Sequence, residues 1–147
     1  MGDDLATANV NRSYSLAATS VAIFTFVLIF LYPRFVSGEV NPALFQLTLT
    51  AMGVATFSFI VAAFYYYASS LGGRIHEDER TGYSRRGDRL WLLGCMVLFL
   101  DPSLILVTVG LLLVAAAWFA LWLVYLFLLI RYFPRVQTTR TSTRGAS

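Results

Sequence analysis

Residues 90–132 read LWLLGCMVLFLDPSLILVTVGLLLVAAAWFALWLVYLFLLIRY, and their division decides how often the chain crosses a membrane. Only Asp101 and Arg131 carry charge in this stretch. It is about twice the roughly 20 residues that one helix needs to cross about 30 Å of hydrocarbon. Two spans are therefore expected, and Asp101 with Pro102 supplies the punctuation. Aspartate is a good N-cap, and proline suits the first helical position because its missing N–H would have no partner there. This reading sets spans at 86–100 and 102–132, joined by a very tight turn, with Asp101 and Pro102 structural. Since 90–100 alone is too short, the third helix is expected to begin around 84–88, its arginines snorkelling to the interface. A competing division keeps 90–113 as one helix kinked at Pro102 and turns the chain near Gly110. It would bring Asp101 into the hydrocarbon, where an ionisable group is a functional candidate by default.

Asn41 and Pro42 repeat the cap-and-proline device at the start of a second span, 42–71, which Gly72 and Gly73 are expected to close. A first span occupies 14–32 and ends at Pro33. This apolar run reads as a retained span and not as a signal peptide, since Asp3 and Asp4 precede it and it exceeds a typical signal core. The rest divides into an N-terminal segment 1–13, a basic loop 72–87 and a polar tail 133–147, the tail expected to be disordered.

Composition supports the membrane class: 58% of residues are hydrophobic and 13% charged, too apolar a mixture for a soluble surface. The chain has eleven arginines and no lysine. Arg12, the cluster Arg74, Arg80, Arg85, Arg86 and Arg89, and the tail Arg131, Arg135, Arg140 and Arg144 all fall on one side of the four spans; Arg34 alone falls on the other. Lys and Arg in short flanking segments set orientation, so the expectation is an all-α polytopic protein of the cell membrane, four transmembrane helices in an up-down bundle, with both termini cytoplasmic. The net charge of +3 follows from that threading, and no nucleic-acid partner is implied. Cys95, the one cysteine, reads as a small hydrophobe inside the third span.

Small residues recur four apart: Ala18 and Ala22, Ala51 and Ala55, Ser58 and Ala62, Ala116 and Ala120. Such pairs let helices approach closely in lipid, within one chain or between chains. Thr48, Thr50, Thr56 and Ser58, with Gln46, make the second span hydroxyl-rich. Thr48, Thr56 and Ser58 are candidate pore or interface residues, although such hydroxyls commonly bond back to the preceding turn. His76, Glu77, Asp78 and Glu79 form the sole cluster with metal-ligand chemistry, but lack the His or Cys spacing of a closed site. Trp91 is placed at an interface, and Trp118 with Trp122 one turn apart deeper in the fourth span. No nucleophile is paired with a base and an orienting group. The function expected from these residues is non-enzymatic: an accessory or interaction protein, without cofactor, acting through helix–helix or lipid contacts. Its partners would be the bilayer and a membrane protein or second copy. The alternative is a small oligomeric channel or transporter lined by the second helix.

Overall fold

The computed structural model of the protein describes residues 2–71 and 77–142, with side chains described over 7–71 and 79–131. It consists of α1 (Gly2–Val36), α2 (Pro42–Ser70), α3 (Glu77–Thr108) and α4 (Leu112–Ser142), with no strand among the described residues. All four helices contain segments long and apolar enough to cross a membrane.

Two glycines make the short connections. Gly38, at φ +77°, ends α1, and Gly110, at φ +82°, ends α3. Each sits in the same motif. The Gly38 N–H reaches the Phe35 carbonyl at 3.1 Å and the Glu39 N–H the Arg34 carbonyl at 3.0 Å. The Gly110 N–H reaches Val107 at 3.0 Å and the Leu111 N–H reaches Leu106 at 2.9 Å. This paired 5→2 and 6→1 closure satisfies the last carbonyls and requires a left-handed residue, which glycine adopts without a Cβ penalty. At the other side of the first connection, Asn41 caps α2, its Oδ1 accepting from Ala43 N–H at 2.9 Å and Leu44 N–H at 3.4 Å, with Pro42 in the first helical turn.

The boundary expected at Asp101 is not there. Asp101 and Pro102 lie inside α3, which runs on to Thr108, so they are neither a cap nor a helix start. One proline removes one backbone donor, leaving the Leu98 carbonyl without its usual i+4 partner, and a packed helix tolerates that loss. Gly110 provides the stronger stop because it closes two carbonyls at once. Pro33 likewise lies within α1 and does not end it. The other boundaries also extend beyond expectation: α1 begins at Gly2, α3 at Glu77, and α4 continues past Pro134 to Ser142, through most of the tail expected to be disordered. Gly72 to His76 and Thr143 to Ser147 lie outside the described residues.

Neighbouring helices pair in opposite directions. Thr48 meets Thr108 and Tyr66 meets Asp88, while Ser103 meets Ala115 and Met96 meets Trp122. Among the described residues α2 packs on both α1 and α3, whereas α4 packs on α3 alone. The bundle is therefore open. One apolar cluster joins Val27 and Leu31 of α1 to Phe45 and Met52 of α2, and a second joins Ala17, Ala55, Phe59 and Cys95 across three helices.

Candidate functional site

The α2–α3 seam is built on a strict seven-residue repeat. On α2, Phe45, Met52, Phe59 and Tyr66 are buried at intervals of seven, interleaved with the smaller buried residues Thr48, Ala55, Ala62 and Ser69. On α3, Gly87, Gly94, Asp101 and Thr108 are buried at the same interval, with the larger Trp91, Leu98 and Ile105 between them. A period of 3.5 keeps one stripe of each helix facing the other along its length. Large residues of α2 meet small residues of α3. A Cβ on Gly94 would stand 2.8 Å from the Phe59 ring, and one on Gly87 would stand 3.0 Å from the Tyr66 ring. One repeat further along, the same register sets Asp101 level with Met52.

Asp101 is thus the carboxylate in a row otherwise made of glycine and threonine. It is 1% exposed, and neither carboxylate oxygen has a hydrogen-bond partner. Met52 and Ala55, in the α2 face it lies against, are fully buried. One repeat toward Gly110, the Thr48 and Thr108 hydroxyls lie 3.1 Å apart, each within reach of a carbonyl one turn back, Leu44 and Leu104, so that one hydroxyl donates across the seam and the other donates to its own helix. Their polarity is satisfied locally. The opposite face of α3 carries α4: Ser103 Oγ donates to the Ala115 carbonyl at 3.0 Å, and Trp122 Nε1 donates to the Met96 carbonyl at 2.8 Å.

At the other end of the seam several polar groups find partners, although the Trp91 Nε1 and Ser13 Oγ there are buried without one. Tyr66 Oη donates to Asp88 Oδ1 at 2.7 Å, Arg80 Nε donates to the Ser69 carbonyl at 2.7 Å, and the Arg12 guanidinium lies 4.3 Å from the centre of the Trp91 ring. Asn9, Arg12, Tyr66, Asp88 and Trp91 line a shallow recess of about 180 Å³. A cation over an indole and a phenol on a carboxylate join α1, α2 and α3 here. The placement of Trp91 against Arg12 could not be read from spacing, since the two lie on different helices.

The candidate pore residues do not share a face. Thr48 is turned to α3; Thr56 bonds Ser20 of α1 at 2.8 Å and the Met52 carbonyl at 2.9 Å; Ser58 bonds the Val54 carbonyl at 2.7 Å. At 100° per residue these three positions spread over about 160° of the helix, as a helical period of 3.6 requires. Of the small-residue pairs, Ala55, Ser58 and Ala62 are buried within the protein and Ala51 is half-buried. Ala18, Ala22, Ala116 and Ala120 are exposed. Trp118 is also exposed, while Trp122 stacks on Phe119 with ring centres 5.4 Å apart. Cys95 is buried and unpaired. Among the described residues no three His, Cys, Asp or Glu side chains stand together as a metal site; His76 and the side chains of Glu77 and Asp78 lie outside the described residues. No family model, curated protein or solved structure matches this chain.

Proposed function

We propose that the protein is a non-enzymatic accessory subunit of the cell membrane, with both termini cytoplasmic, that binds the membrane helices of a partner through the open side of α4. One observation carries this reading: only 6% of the most apolar window of α4 is buried, against 39% for α2. α1 and α3 each bury 22%, so α4 is the helix with most surface left for a neighbour. Lipid tails are as apolar as leucine, so lateral association depends on close packing. The exposed pair Ala116 and Ala120 permits that approach, and the exposed Trp118 adds a large aromatic anchor beside it. The orientation rests on the distribution of arginine.

Purification in mild detergent followed by mass measurement of the intact assembly tests the proposal. A larger complex is expected, and the double substitution Ala116→Leu with Ala120→Leu should release the partner while the protein itself stays folded. A clean monomer from the native membrane would overturn it. Association with further copies of this chain alone would replace the accessory role by self-assembly. The channel alternative draws no support from the hydroxyl residues, because Thr48, Thr56 and Ser58 spread over about 160° of α2 and each is hydrogen-bonded within the protein.

A further inference from the structure

We propose that Asp101 is a proton-binding site in the α2–α3 seam: its carboxyl carries a proton while the seam is packed, and proton release loosens the seam. This rests on the four helices crossing a bilayer and is independent of the partner assigned to α4. Asp101 is nearly inaccessible and has both carboxylate oxygens unpaired. A charged carboxylate in such surroundings lacks any compensation, and a single proton removes the charge.

The groups facing it exclude an internal ion pair. From α2 the level of the seam presents Thr48, Met52, Ala55 and Phe59, none of them charged. The α1 residues packed into the Met52 cluster, Ile23, Phe24, Val27, Leu28, Leu31 and Phe35, are all uncharged. α4 lies on the far side of α3, where Ser103 and Met96 meet it. On α3 itself the nearest titratable groups are Cys95, six residues away, and Asp88, thirteen away, roughly 9 Å and 20 Å along the axis at 1.5 Å per residue. A cation on another protein cannot reach a side chain so enclosed. A metal ion is also disfavoured: hard divalent ions take six or more oxygen ligands, and no acidic neighbour stands beside Asp101. A proton needs only one lone pair. Pro102 adds a destination for it, because the Leu98 carbonyl, one turn back, has no amide partner at position 102 and can accept from a carboxylic O–H.

Filling space does not account for this residue, since glycine occupies the two equivalent positions Gly87 and Gly94. A purely register-setting polar group would act equally well as asparagine. Proton release is what asparagine cannot reproduce.

The test uses the full chain in phosphatidylcholine vesicles, with infrared spectra and thermal unfolding recorded across pH for wild type, Asp101→Asn and Asp101→Gly. At neutral pH the wild type should show a protonated carboxylic C=O band that both variants lack and that disappears on raising the pH. The native state then holds more protons than the unfolded one, so wild-type stability should fall as pH rises while both variants respond less. A wild-type spectrum with no protonated carboxyl at neutral pH would overturn the proposal. So would a band moved by sodium at constant pH, or a pH dependence unchanged in Asp101→Asn. Should neither variant insert, the wild-type band is compared with that of Asp88→Asn, because Asp88 is the one other acidic residue inside a described helix away from its ends: a band that persists in Asp88→Asn supports the proposal and one that vanishes overturns it.

Discussion

Gly94 shows how much one missing methyl group does in this protein. Alanine gains about 1 kcal/mol over glycine in a helix interior, but here its Cβ would press to 2.8 Å against the ring of the fully buried Phe59. Overpacking of that kind costs about 1–3 kcal/mol, so Gly94→Ala is expected to destabilise the protein on balance. Thermal unfolding in detergent measures it. The loss should shrink in a Phe59→Leu background, which would show direct coupling between the two positions. Gly53 provides the contrast: nothing lies within 4 Å of its virtual Cβ, and Gly53→Ala should be neutral or stabilising by up to about 1 kcal/mol. Equal responses at the two glycines would mean that the seam is not tightly packed at Phe59. The small-residue pairs on α2 were visible in the sequence, but the row of Gly87, Gly94, Asp101 and Thr108 was not. Its residues differ in chemistry and share only an interval, which acquires meaning once the facing Tyr66 and Phe59 are in place.

At the scale of the element, the helix ends separate strong signals from weak ones. Asn41 and Pro42 act as their chemistry prescribes because the chain around them is free to turn. Asp101 and Pro102 have the same chemistry and stay inside a helix, since ending α3 there would interrupt the seam between Leu98, Ile105 and the α2 face. The closure at Gly110 is the actual boundary, and any side chain there must adopt a left-handed backbone. Gly110→Ala should therefore cost about 1–2 kcal/mol, and Asn41→Ala about 1 kcal/mol through loss of the cap. Pro102→Ala should instead leave the length of α3 unchanged, as circular dichroism of the purified variants would report. A loss of helix content at Pro102→Ala comparable to one turn would count against the continuous α3.

For the whole molecule, the distribution of arginine makes a prediction that packing does not. Single cysteines at Ser37 and Ser84, in a chain whose buried Cys95 is replaced by alanine, should label from opposite sides of sealed cells. Equal labelling would defeat the threading with both termini in the cytoplasm. The open arrangement carries a second expectation: substitutions on the exposed side of α4, such as Leu113→Ala at 89% exposure, should change the stability of the isolated protein by less than about 0.5 kcal/mol. Comparable truncation of buried Met52 should cost about 2–5 kcal/mol. Similar losses at both sites would place α4 inside a closed bundle.

Helix number and class were determined by the sequence itself, because apolar runs of sufficient length need no partner to identify them: each helix satisfies its own backbone in lipid. Arginine placement carries the expected orientation in the same local way. The tertiary structure alone decided that Asp101 is enclosed, that Arg12 rests on Trp91, and that α4 is left largely uncovered. Those relations join residues from different helices, and the energy of a seam depends on which side chain fills the space left by another across it, a quantity no single helix contains.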